Sequence, residues 1–90
     1  MKKHYQIRVN GIVQGVGFRA YARAEAFRLG VVGLVRNEND GAVYIEAEAE
    51  EEVLMQFLGA CRQGPPQAEV REVDYQEQPL KNYPDFDIAY

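Results

Sequence analysis

From His4 to Asn10 polar and apolar residues alternate: Tyr5, Ile7 and Val9 fall on one side, and His4, Gln6, Arg8 and Asn10 on the other. A period of two predicts a half-buried β-strand. Residues 18–29, "FRAYARAEAFRL", are alanine-rich and favour a helix. Phe18, Ala22, Ala26 and Leu29 share one helical face, while Ala20, Ala24 and Phe27 form a second apolar one. Spacing alone leaves open which face meets a core. Gly30 stands where a left-handed turn ends a helix. Residues 31–38 are β-branched and predict a strand, and 39–41, "NDG", predict a hairpin turn. Residues 42–50 alternate again, with Val43, Ile45, Ala47 and Ala49 inward and Tyr44, Glu46, Glu48 and Glu50 outward. Leu54, Phe57, Leu58 and Cys61 recur at helical spacing, which predicts an amphipathic helix. Glu50, Glu51 and Glu52 lie where a helix N-terminus favours acids, and Gly64-Pro65-Pro66 ends the pattern. Residues 68–76 read as a strand whose alternation slips between Val70 and Val73, predicting a bulge or an exposed edge. A polar, proline-marked stretch over 77–84 and a short strand over 86–90 follow.

The order strand, helix, strand, strand, helix, strand predicts an α+β fold of the ferredoxin-like βαββαβ type. It is expected to be a two-layer sandwich, an antiparallel sheet with both helices on one face. Ninety residues make a single domain over 1–90. The net charge of −4 argues against a general nucleic-acid binder, whose footprint is a basic face. The one cysteine, Cys61, forms no internal disulfide, so nothing points to secretion. No apolar run approaches a membrane span, and the N-terminus reads as a strand rather than a signal peptide. The expectation is a cytoplasmic, monomeric protein without nucleic-acid or membrane partners.

Candidate chemistry sits in "NGIVQGVGFRAYAR", residues 10–23, with glycines at 11, 15 and 17 just before the first helix. Alone, such a loop reads equally as a tight connection or as an anion site. In a βαβ unit, however, the loop after the first strand and the end of the second strand share one edge of the sheet. That brings Arg19 and Asn37 together. A helix N-terminus presents free N–H groups and partial positive charge. Glycines let successive N–H groups converge into an anion nest, and Arg19 adds a fork of donors matched to phosphate oxygens. Asn37 offers an amide that can hold a water. No metal-spaced cluster, loop nucleophile or general acid accompanies them, which favours a substrate whose leaving group departs unaided. An acyl phosphate, releasing a carboxylate, is such a substrate.

At these residues the chain resembles the acylphosphatase family. "GIVQGVGFR" (11–19) is similar to the family's phosphate-loop motif, and "GLVRNENDGAV" (33–43) to its second motif. The resemblance implies hydrolysis of acyl phosphates to a carboxylic acid and inorganic phosphate, with no metal, cofactor or covalent intermediate. It implies that Arg19 and the loop residues Gln14, Gly15, Val16, Gly17 and Phe18 hold the phosphoryl group, the backbone N–H groups of residues 15–19 acting with Arg19. It further implies that Asn37 orients the attacking water. Two positions depart from the family pattern: Leu34 stands where an aromatic residue is usual, and Ala49 where a glycine is. Both fall on strands away from Arg19 and Asn37.

The remaining residues receive plainer expectations. Cys61 belongs to the core, and Tyr21 to core or loop packing. His4 is expected as solvated surface, and Glu46 to Glu52 as a solvated strand face plus a helix start. Arg36 is left between surface and site, and a contact of the Tyr90 carboxylate with the site stays open. "GVGFRA" also satisfies a G-x-G-x-x-A dinucleotide pattern, but the chain is too short for a doubly wound sheet. Two rival functions stand beside the enzyme. One is a non-catalytic phosphate- or acyl-phosphate-binding module, like the N-terminal part of large carbamoyl-transferring maturation factors; the chain's end at residue 90 favours the stand-alone enzyme instead. The other is an RNA-binding domain, disfavoured because the polar sheet face carries one aromatic residue, Tyr44.

Overall fold

In the computed structural model, which describes residues 1–90, the strands are β1 (Lys2–Ile12), β2 (Val32–Asn37), β3 (Val43–Glu50), β4 (Glu69–Gln78) and β5 (Phe86–Ile88). The helices are α1 (Phe18–Leu29) and α2 (Glu51–Gln63). The sheet order is β4-β1-β3-β2-β5. β1 pairs antiparallel with β3 and β4, and β2 antiparallel with β3. This is the expected ferredoxin-like arrangement with one addition: β5 runs parallel to β2, so the five-stranded sheet is mixed.

The inward alternation holds. Tyr5, Ile7, Val9, Val35, Val43, Ile45 and Ala47 bury on one sheet face against Phe18, Ala22 and Ala26 of α1 and Leu54, Phe57, Leu58 and Cys61 of α2. Of the two apolar faces of α1, packing selects Phe18, Ala22 and Ala26; Ala20, Ala24 and Phe27 stay exposed. β4 is an edge strand, and its pairing with β1 shifts register between Asn10 and Gly11, leaving Arg71 as the extra residue. The slipped alternation thus reflects a bulge on an edge.

The opposite face of the sheet departs from expectation. His4, Glu46 and Glu48 were expected in solvent and are buried, at 1%, 6% and 0% exposure. Topology explains why. β4 and β5 lie at opposite edges, so the connection between them must cross the sheet, and it crosses the face without helices. Asn82, with φ 59, turns the backbone there. The N–H groups of Lys81, Asn82 and Tyr83 then converge on the Glu48 carboxylate, Asn82 at 3.2 Å and Tyr83 at 3.1 Å. His4 Nδ1 lies 2.8 Å from Glu48 Oε2. A carboxylate only accepts, so Nδ1 carries the hydrogen. Glu46 accepts from Lys81 Nζ at 2.8 Å and from the hydroxyls of Tyr83 at 2.7 Å and Tyr44 at 2.9 Å. Burial is the largest influence on both carboxyls and pushes them up, yet the donors together outweigh it. Glu48 is held below its ordinary value, and Glu46 at about 2.

Candidate active site

Val43 lies opposite Val9 of β1 on one side and Asn37 of β2 on the other. The C-terminal ends of β1 and β2 therefore lie at the same end of the sheet, two strand spacings or about 10 Å apart. The loop from β1 into α1 leaves from that end, so the chain brings the glycine loop, the α1 N-terminus and Asn37 together.

Gly15 and Gly17 adopt φ 75 and 81, in the left-handed region. A Cβ at either would touch nothing, so the backbone conformation and not crowding requires glycine. Gly17 is the N-cap of α1 and makes no side-chain cap, and the first turn holds no acid. The N–H groups of that turn have no intrahelical partner, and no side chain competes for them.

Gln14 plays a part that the motif did not reveal. Its Nε2 donates to the carbonyls of Glu38 at 2.7 Å and Ala42 at 2.9 Å. These residues flank the β2–β3 turn, so Gln14 ties the glycine loop to the hairpin that carries Asn37.

Arg19, on the first turn of α1, is half-buried. Arg8, Arg28, Arg36 and Arg71 each pair with a carboxylate, whereas Arg19 pairs with none. Its guanidinium carbon sits 5.0 Å from the centre of the Tyr90 ring. A ring stacked on the face of a guanidinium leaves its N–H edge directed elsewhere. The chain end thus meets Arg19 through the aromatic ring, with no ion pair to the terminal carboxylate. Asn37 is half-buried, and its Oδ1 is shielded from solvent with no hydrogen-bond partner. Buried polar atoms are nearly always paired; in this fold Asn37 Oδ1 and His4 Nε2 are the exceptions.

Arg36, adjacent in sequence, points to the other sheet face. It lies 4.4 Å from the Tyr44 ring and donates to the Glu38 carboxylate at 3.1 Å. Tyr21 donates to the Ala60 carbonyl at 2.8 Å and joins the two helices. Cys61 is buried, and burial pushes its thiol up to about 12, so it is inert. No three His, Cys, Asp or Glu side chains are grouped to hold a metal ion. No helix is long and apolar enough to cross a membrane.

The likenesses to known proteins agree with this geometry. The acylphosphatase family model matches residues 5–88. An acylphosphatase of Thermotoga maritima is 49% identical over 88 residues, covering 98% of each chain. The crystal structure of the Bacillus subtilis acylphosphatase superposes with a TM-score of 0.95 at 38% identity, covering 100% of both chains. Full-length HypF in a phosphate- and nucleotide-bound form also matches, with a TM-score of 0.88 and 32% identity, but there the match covers only 12% of the larger chain. The likeness to stand-alone acylphosphatases runs the length of both partners, and the module reading has the weaker support. The chain belongs to the acylphosphatase family.

Proposed function

We propose that this chain, an acylphosphatase and so a hydrolase by family, performs its reaction with the glycine loop, Arg19 and Asn37. The N–H groups of residues 15–19 and the Arg19 guanidinium hold the phosphoryl oxygens of an acyl phosphate. The side-chain amide of Asn37 hydrogen-bonds a water and directs its oxygen at phosphorus. A new oxygen–phosphorus bond forms as the bond to the acyl oxygen breaks. The electron pair leaves with the carboxylate, and the water's protons end on the phosphate, which exchanges them with solvent. A carboxylate is a weak base, protonating only near pH 4, so its departure needs no general acid. The charge that spreads over the phosphoryl oxygens falls on preorganised donors.

The observation that carries this reading is the placement of Asn37 at the same sheet end as a helix N-terminus free of acids and an arginine free of ion pairs. Arg19 and Asn37 both come from one chain, which supports a monomer as the working unit. The test is hydrolysis of benzoyl phosphate with EDTA present, followed by ultraviolet absorbance, for the wild type and Arg19→Ala. Turnover that survives EDTA and vanishes in the variant upholds the reading. Binding of inorganic phosphate without any turnover overturns it in favour of a binding module.

A further inference from the structure

The core of this domain uses one of the two apolar faces of α1. The other borders a groove of about 600 Å³ lined by Ala20, Arg23, Ala24, Phe27, Arg28 and Ile88. That volume lies within the about 300–1,000 Å³ of ordinary small-molecule sites. Phe27 is 81% exposed there, an unusual place for a large aromatic ring on a helix that buries alanines on its other side.

We propose that this groove is the acyl subsite of the enzyme, and that it takes a bulky apolar acyl group, aromatic or long-chain aliphatic. The inference rests on the function proposed above and names the substrate class of the same site. Its first support is continuity. Ala20 lines the groove and follows Arg19 directly; Ile88 lines the other wall, and two residues later the Tyr90 ring lies on the Arg19 guanidinium. Ala20 stands one helical turn beyond Gly17 of the glycine loop, and Ile88 pairs with Val35, two residues before Asn37, so the groove lies toward the site end of the sheet. From Ala20 to Phe27 the helix rises about 10 Å, so an acyl chain that leaves the phosphoryl end can lie along two turns.

The second support is the match of chemistry. Ala20, Ala24, Phe27 and Ile88 offer apolar surface with no hydrogen bond to satisfy, as suits a hydrocarbon body. The charges that line the groove are cationic. Arg28 is engaged with Glu25 at 3.0 Å, and the charge of Arg23 acts on Asp85. Such a wall lays the apolar stems of its arginines alongside the acyl body. An acetyl or carbamoyl group fills little of this space and gains little from it.

The experiment compares kcat/KM for benzoyl phosphate and acetyl phosphate in the wild type, Phe27→Ala and Ala24→Gln. Positions 24 and 27 are exposed, so the variants fold, which circular dichroism verifies. Phe27→Ala removes the aromatic wall and Ala24→Gln fills the groove. Each is expected to lower the benzoyl-to-acetyl ratio of kcat/KM about tenfold, chiefly through KM for benzoyl phosphate. If the ratio is unchanged in both variants, or both substrates fall equally, the groove is not an acyl subsite and the acylphosphatase reading stands. If the wild type turns over neither substrate, that reading fails and the subsite fails with it.

Discussion

The ring of His4 and the carboxylate of Glu48, directly opposite each other on β1 and β3, meet at 2.8 Å on a sheet face that bears no helix. Glu48 also accepts from three successive backbone N–H groups, so one carboxylate fastens the chain segment that crosses to β5. Replacing it by alanine leaves His4 Nδ1 and those N–H groups without their acceptor in a buried place. Breaking a buried charged network from one side costs about 3–5 kcal/mol, a large share of a small domain's stability. Urea unfolding of Glu48→Ala should show a fall of that order. A loss below about 0.5 kcal/mol, the range of ordinary surface substitutions, would mean that the strap is held elsewhere.

The same network sets an acid limit. Glu46 and Glu48 titrate below their ordinary 4.5 in the folded protein, Glu46 at about 2. A carboxyl depressed on folding contributes stability that is fully present above its unfolded value and is lost as pH falls through the folded one. Stability should thus hold near neutrality and decline from about pH 4.5 toward about pH 2. Thermal unfolding across that range, compared with Glu46→Gln, is the measurement. The variant's curve should be flatter below pH 4.5, and parallel curves would remove Glu46 from the explanation.

The two faces of the sheet show what a sequence reveals and what it leaves out. Alternation in β1 and β3 sorted residues into two faces correctly, and the face of Ile7 and Ile45 is the core. Alternation does not say what covers the other face. That depends on a segment some 35 positions from Glu48, whose own residues are polar and whose grip comes from backbone N–H groups that no side-chain pattern records. The available signal was topological: with strands at both edges, residues 79–85 had to cross His4, Glu46 and Glu48. For the candidate site, the shared location of Arg19 and Asn37 was legible because the glycine loop is local and the βαβ geometry brings strand ends together. The role of Gln14 was not, because its partners are main-chain carbonyls 24 and 28 positions away. The choice between the two apolar faces of α1 was also beyond spacing, since alanine suits either.

Gln14 should act on the site through the loop. Its two hydrogen bonds to the Glu38 and Ala42 carbonyls contribute about 0.5–1.5 kcal/mol each. Gln14→Ala frees the loop from the hairpin, so the nest must be ordered when phosphate binds. Competitive inhibition by inorganic phosphate is expected to weaken about tenfold, with a stability loss of about 1–3 kcal/mol, the scale of two such bonds. Unchanged phosphate inhibition would confine Gln14 to folding.

Asn37 should separate activity from stability. Most buried polar side chains cost stability when truncated, because a partner is left unpaired. Asn37 Oδ1 has no partner in the protein, so Asn37→Ala removes a desolvated atom and strands none. Its stability should match or slightly exceed that of the wild type, a gain often accompanied by lost function at such sites. In the proposed mechanism, in contrast, the attacking water loses the group that aims it. Removing one preorganised group at a reacting centre typically costs about 10²–10³ in kcat, and a loss of that size is expected here. Inorganic phosphate, held by the loop and Arg19, should bind within about twofold of the wild type. Measuring kcat, the phosphate inhibition constant and the urea midpoint on one preparation decides among three roles. Lost kcat with intact binding and stability fits a water-positioning residue. Lost phosphate binding would place Asn37 in the cradle itself, and lost stability would return it to the fold.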